Sequence, residues 1–487
     1  MHGARIPSVL LPAVLATAGC APSLEIGRPA APLPARFEAA ALHPDPEPAA
    51  LDRWWTLFGD AQLDDLVARA LRANADVRLG LARLREAQAI RQAALAPYRV
   101  QGDLQVTGGV QRSESLSGPD VLIGGPSGTA VTSGATVLAA SPTFNLSWEL
   151  DLLGRRGVAR EAADADLAAA RFVQEGTRAT LAADVADALF AARGLAAQVE
   201  AARETLTIQH GILAAVRTRA DHGLAARADV ARIDADLAQA TAQRTLLEAE
   251  LAAARRAILV LLGDADKTLD TLPIHPRLDL PPQPPAAVPG TLLERRPDVR
   301  EAEQRLRAAI ARAELQRLEL FPRLTLNPGA GLTATRGGGL SAVSAFWTLG
   351  AGLTVPILDR ARLLAQMRVE GTRAEQAVIA YERAVQSAFS EADQSLLRLT
   401  GDRARVALLA RAESRAAEAY AADRLRFARG LTDVSTLLES QRAHSAARLA
   451  AATARAETLR RAVTVFRALG GGWQAPPIAT PGSGKSG

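Results

Sequence analysis

Four stretches of the chain alternate apolar and polar residues with a period of two, the pattern of a strand with one apolar face. In the first, Tyr98, Val100, Leu104, Val106 and Val110 hold even positions, while Arg99, Gln101, Asp103, Gln105, Thr107 and Gln111 hold odd ones. The second sets Phe144, Leu146, Trp148 and Leu150 against Thr143, Asn145, Ser147 and Glu149. The third sets Leu324, Leu326, Leu332 and Ala334 against Thr325, Asn327, Thr333 and Thr335, and the fourth sets Trp347, Leu349, Leu353 and Val355 against Thr348, Gly350, Gly352 and Thr354. The alternation predicts strands at about 98–111, 143–152, 323–335 and 346–357. Each matches the roughly 9–11 residues that a tilted strand needs to cross a bilayer. A soluble antiparallel sheet with one wet face carries the same local pattern. The aromatics Tyr98, Phe144, Trp148, Phe321, Phe346 and Trp347 lie in or beside these runs, as membrane-interface girdles do, which favours the membrane. Four strands cannot close a barrel, because an edge open to lipid leaves backbone groups unsatisfied, so a membrane role predicts an oligomer.

After the second strand the period changes. Leu181, Val185, Ala188, Ala192, Leu195, Val199, Ala202 and Leu206 keep a four-three spacing, a heptad seam. Beyond Gly223 a second seam runs through Val230, Ile233, Leu237, Ala240, Leu247, Leu251, Ala254, Ile258 and Leu261, so the two are expected to fold back as a helical hairpin. A third seam, Leu449, Ala452, Ala456, Leu459, Val463 and Phe466, closes the chain. The design recurs: 430 − 223 = 207 and 470 − 263 = 207, each number being a glycine position. The start of the recurrence is echoed too, with Leu71, Asn74, Ala75, Asp76 and Val77 answered by Leu293, Arg296, Pro297, Asp298 and Val299. The expected plan is two repeats, 54–263 and 290–473, each of helix, strand, loop, strand, long helix, Gly turn and returning helix, joined by a Pro-rich connector at 264–289.

Composition agrees with helices rather than large globular cores. Of the chain, 48% is apolar but only 4% aromatic, and alanine dominates the apolar share. A net charge of +5 spread over 487 residues builds no basic patch, so nucleic acid is not expected as a partner. The single cysteine excludes disulfides within one chain. The six histidines have no metal-ligand spacing, and no metal site, cofactor or enzymatic centre is expected.

The N-terminus has the order of a secretory signal over residues 1–19, a charged start followed by an apolar run and a small residue. The run from Leu15 to Cys20 resembles a lipobox, which makes Cys20 the expected site of lipid attachment and the only covalent addition. The alternative is a free cysteine behind an ordinary signal. Residues 20–53 read as a Pro- and Ala-rich tether, and 474–487 as a disordered tail.

These features together resemble the TolC-type outer-membrane efflux proteins, in particular the NodT-like lipoproteins of resistance-nodulation-division systems. The resemblance rests on Trp54, Trp55, Phe58, Asp60 and Leu63, on Trp148 through Arg155, on Arg295 through Val299, and on Ala468 through Trp473. It implies a mainly α protein with membrane β: a homotrimer whose twelve-stranded barrel in the outer membrane of a Gram-negative bacterium continues into a long helical periplasmic barrel. It implies a passive duct for drugs or other small solutes, served by a periplasmic adaptor and an inner-membrane pump. Gly223, Leu224, Gly430 and Leu431 become the adaptor-docking tips. Asp229, Arg426, Arg429, Asp433 and Glu439 become candidates for closing the periplasmic gate. Helix capping accounts for Asp229 and Asp433 equally well, and solvated surface pairing for the other charges. The competing reading is a structural coiled-coil lipoprotein without a pore.

Overall fold

The structure is a computed structural model, and it describes residues 26–30, 32–34, 37–38, 51–112, 123–124, 130–131, 136–284, 289–290, 295–337 and 340–473. The signal segment, Cys20 and the tail 474–487 lie outside these residues. The elements run in chain order as α1 (Ala61–Ala73), α2 (Ala75–Leu95), β1 (Gln101–Arg112), β2 (Thr136–Leu150), α3 (Arg155–Asp221), α4 (Arg227–Leu261), α5 (Pro297–Leu318), β3 (Arg323–Gly337), β4 (Leu340–Thr354), α6 (Arg360–Ala428) and α7 (Val434–Ala468). Helices α3 and α6 have 67 and 69 residues, and α4 and α7 have 35 each. No helix among the described residues is long and apolar enough to cross a membrane.

The chain divides into two compact units. One comprises the described residues within 1–28, 85–168 and 304–379, the other those within 29–84, 169–303 and 380–487. The first holds one antiparallel sheet in the order β1-β2-β3-β4, so β1 and β4 are its edges. Its strands differ at their ends from the alternation. Tyr98 closes a short 3-10 turn, Ala96–Tyr98, ahead of β1. Strand β2 starts at Thr136, ahead of the alternation, because it pairs along β1 without interruption although Ala139-Ala140-Ser141-Pro142 offers no apolar-polar contrast. On its other side the ladder skips Ser141 and Pro142, and again Leu146, opposite Pro328, and Ser147; a proline has no N–H to give. Strand β4 stops at Thr354, two residues before Pro356, for the same reason. Within the long first loop, Ile123–Gly124 pairs with Ala130–Val131.

The second unit is built from the long helices. One apolar cluster gathers Trp54, Leu63, Leu66, Val185, Phe190, Ile258, Leu259 and Phe466, with Trp54 stacked on Phe466 at 5.4 Å. A second, nearer the ends of α3 and α6, gathers Ile212, Leu213, Val216, Ile233, Phe427, Leu437 and Leu438. Between these two clusters the α3–α7 contacts are small and polar. A Cβ on Gly194 would stand 2.6 Å from the Ala456 Cβ, Gln198 donates to Thr453 at 3.4 Å, and the Thr205 and Ser445 hydroxyls are 3.0 Å apart. The helices are therefore antiparallel, residue i of α3 facing residue 650 − i, or one beyond, of α7.

The described part of the N-terminal tether is seated rather than loose. Its extended backbone leaves N–H groups free, and carboxylates on α6 accept them: Ala30 donates to Glu382 at 2.7 Å and Glu38 to Asp393 at 2.9 Å. Phe37 is buried and stacks on Phe389 at 5.5 Å.

Candidate functional site: an exposed strand face and two helix tips

The register puts residues of like character side by side. Leu104 faces Phe144, Phe144 faces Ala330, and Ala330 faces Trp347, so one face of the sheet is apolar across all four strands. That face is open: Leu104, Val106, Val110, Leu138, Phe144, Trp148, Leu349 and Leu353 are exposed, and Trp347 is 79% exposed. The opposite face carries Asp103, Gln105 and Thr107 on β1, Asn145 and Ser147 on β2, Thr325 and Asn327 on β3, and Thr348 on β4. Of the six aromatics singled out from sequence, Phe144, Trp148 and Trp347 lie on the apolar face. Phe346 does not. Successive strand residues point to opposite faces, and Phe346 lies over Gly331 on the polar side, where a Cβ would come within 2.7 Å of its ring. Phe321 leaves the sheet altogether, packing beside Leu320, Leu363 and Met367 with the Arg317 guanidinium over its ring.

Below β2 the chain turns from strand to helix through Trp148–Arg155. Gly154 adopts a φ of 77°. Asp151 accepts the Arg156 N–H at 3.0 Å at the mouth of α3, where an acidic group is favoured. Buried Arg155 donates to Glu149 at 3.1 Å and to the Leu318 and Phe321 carbonyls at 2.7 and 2.8 Å. One guanidinium thus ties the end of β2 to the end of α5 and the start of β3.

The helix tips share one geometry. At the end of α3, the Gly223 N–H donates to Ala220 and the Leu224 N–H to Arg219, at 2.9 and 2.8 Å. At the end of α6, Gly430 donates to Phe427 and Leu431 to Arg426, at 3.0 and 2.9 Å. Both are Schellman caps, and both glycines are left-handed, at φ 76° and 71°. An apolar residue after such a glycine ordinarily folds back on the helix. Here Leu224 is 78% exposed and Leu431 71%. Arg219 joins the two tips, donating to the Phe427 carbonyl at 2.9 Å with its guanidinium 4.1 Å from the centre of that ring.

The gate candidates have separate local roles within one chain. Asp433 caps α7, accepting the Thr436 N–H at 3.0 Å and its hydroxyl at 2.6 Å, which holds its carboxyl below the usual range. Asp229 lies in the first turn of α4, whose cap, Ala226, supplies no side-chain bond. Arg426 approaches Asp423 at 3.8 Å, and Arg429 and Glu439 are exposed. Sequence reasoning missed Arg219 and Phe427, which lie outside its seams, and the buried Arg193–Asp60 pair, in which Arg193 also donates to Gln62 at 2.9 Å. Arg193 stands between the seam residues Ala192 and Leu195, and that position beside the apolar stripe was the available signal.

Chains of known character share this arrangement. The pyoverdine export outer membrane protein OpmQ of Pseudomonas aeruginosa is 31% identical over 430 residues, covering 87% of this chain and 88% of that protein. The outer membrane protein OprJ of the same organism is 31% identical, with 96% of each covered. The solved structure of the outer-membrane channel OprN superposes with a TM-score of 0.80 at 29% identity, covering 93% of this chain and all of that one. A family model described as outer membrane efflux protein matches residues 66–264 and 288–471, and the chain belongs to that family.

Proposed function

We propose that this chain is the outer-membrane duct of a tripartite efflux system, working as a homotrimer. The observation that carries the reading is the sheet: four strands with an exposed apolar face, a polar face opposite and two unpaired edges. In lipid such edges are unsatisfied, and the smallest barrels have about eight strands. Three copies supply twelve strands, with the apolar face toward lipid and the polar face toward a water-filled lumen. A pore-free coiled-coil lipoprotein gives that face nothing to do.

The matched cap geometry at 223 and 430, the equal 35-residue returning helices and the 207-residue spacing support two structural repeats. Leu224 and Leu431 present apolar side chains at both tips, where a periplasmic adaptor would dock, with an inner-membrane pump of the resistance-nodulation-division type behind it. The duct itself is passive and works without a cofactor. Lipid on Cys20 adds about 0.8 kcal/mol of membrane affinity per buried CH₂ and holds the start of the chain at the outer membrane. Light scattering of the detergent-extracted particle, with detergent subtracted, followed by conductance in planar bilayers, tests the duct. Three copies and discrete conductance steps are expected; one copy and no conductance overturn it.

A further inference from the structure

One ring on the polar face of the sheet is out of character with its surroundings. Strand alternation puts Phe346 between Ser344 and Thr348 on that face of β4, with Gly331 beside it on β3 and Thr143 next across on β2. The ring does not stand up from the sheet. Its Cζ and Cε1 would lie 2.7 and 3.0 Å from a Cβ on Gly331, so it lies across β3 in the space that a side chain there would fill. Thr348 leans the same way over Gly329, where a Cβ would meet its hydroxyl at 3.0 Å. Gly350 and Gly352 follow on the same face of β4. The glycines keep the surface around the ring low, and hydroxyls rim it. Covering the Gly331 backbone occupies one face of the ring, a task that any apolar side chain of that length could perform. The other face is turned away from the sheet, and Phe346 is 40% exposed.

We propose that Phe346 is a stacking platform for planar aromatic solutes passing through the duct, one platform per copy. The inference rests on the lumen assigned above to the polar face and adds a contact for one class of cargo. Offset stacking of two aromatic faces is favourable beyond the area it buries, which corresponds to about a two- to ten-fold enrichment of such a solute at the ring. A conduit needs contacts of that strength, favourable enough to gather a solute and weak enough to release it. The hydroxyls of Ser344 and Thr348 suit the edge of a heteroaromatic ring, whose nitrogens and carbonyl oxygens accept hydrogen bonds. A saturated polar solute has no flat face to offer and gains nothing at 346.

The test is saturation-transfer NMR on the purified full-length chain in deuterated detergent, with caffeine as the planar probe and sucrose as the saturated one. Transfer to the caffeine protons should fall several-fold in Phe346→Leu, which still covers Gly331, and in Phe346→Ser, and should persist in Phe346→Tyr. Sucrose should give the same signal in every variant. Caffeine transfer that is unchanged in Phe346→Leu, or lost equally in Phe346→Tyr, overturns the platform. Particle mass and conductance, measured on the same preparations, separate this inference from the duct on which it rests. Three conducting copies without a signal that depends on residue 346 remove the platform alone, and a single non-conducting copy removes both.

Discussion

Arg296 repeats in the second half of the chain what Asn74 does in the first. The Asn74 side-chain amide donates to the Leu261 carbonyl at 3.0 Å, and the Arg296 guanidinium donates to the Ala468 carbonyl at 3.2 Å. Leu261 and Ala468 are the last residues of α4 and α7, and both belong to the set of terminal carbonyls that a helix leaves unpaired. The glycines that follow press on the same neighbours: a Cβ on Gly263 would lie 3.0 Å from the Ala73 carbonyl oxygen, and one on Gly470 2.7 Å from that of Arg295. An amide and a guanidinium thus solve one packing problem at two equivalent places.

The two solutions differ in what else they carry. Asn74→Ala removes that bond and the one its Oδ1 accepts from the Asp76 N–H at 2.7 Å, both neutral, and should cost about 1.5 kcal/mol. Arg296 also pairs with Asp298 at 2.7 Å and Glu391 at 2.8 Å, and its side chain is largely buried. Arg296→Ala removes both pairings, leaving Glu391 its 3.4 Å contact with Arg467 and the half-exposed Asp298 without its cation, and should cost about 2–3 kcal/mol. Thermal unfolding followed by circular dichroism ranks the two, and equal shifts would refute the added role of the ion pairs.

At the tips, stability and docking should separate. Leu224→Asp and Leu431→Asp alter exposed side chains and should move stability by no more than about 0.5 kcal/mol. The trimer should form as before, while co-purification with the adaptor and drug resistance in a complemented strain both fall. Full resistance in the double variant would remove the tips from the docking surface.

Acid should weaken the helical unit through Asp60. Burial alone would raise its carboxyl, but the hydrogen bond and charge of Arg193 outweigh burial and hold it below the ordinary value near 4. A depressed folded pKa lends stability that is fully present above the unfolded value and is lost as pH falls through the folded one. Unfolding free energy should therefore drop below about pH 4. Asp60→Asn should lower stability at pH 7 and flatten that part of the acid limb, leaving the share from Asp298, which Arg296 depresses against its burial in the same way. An unchanged limb in the variant would place the acid sensitivity elsewhere.

Much of this architecture was legible because its periods are long and clean. The heptad seams name residues such as Leu181, Val185 and Ile258, which are buried. The turn glycines announce their left-handed backbone by spacing alone. What stayed hidden was set by partners distant in sequence. The start of β2 depends on its ladder with β1, not on its own pattern, and the seating of Phe37 depends on Phe389, more than 350 residues away. Arg193 reads as a solvated charge until Asp60 arrives from the far end of the unit to pair with it.

The sharpest case is a pair of adjacent aromatics. Phe346 and Trp347 both read as girdle residues in sequence, yet strand alternation sends them to opposite faces, Phe346 over Gly331 and Trp347 beside Ala330. If the apolar face meets lipid, a charge at 347 should be costly, up to about 2–4 kcal/mol for an arginine near the bilayer midplane and less toward the interface. Phe346→Ser, on the polar face, trades a ring for a hydroxyl beside Ser344 and Thr348 and should leave assembly intact. The measurement is the amount of trimer in the outer-membrane fraction of cells producing each variant. Trp347→Arg should deplete it several-fold and Phe346→Ser should not. The reverse order would mean that the apolar face turns inward, and the assignment of lumen and lipid would have to be exchanged.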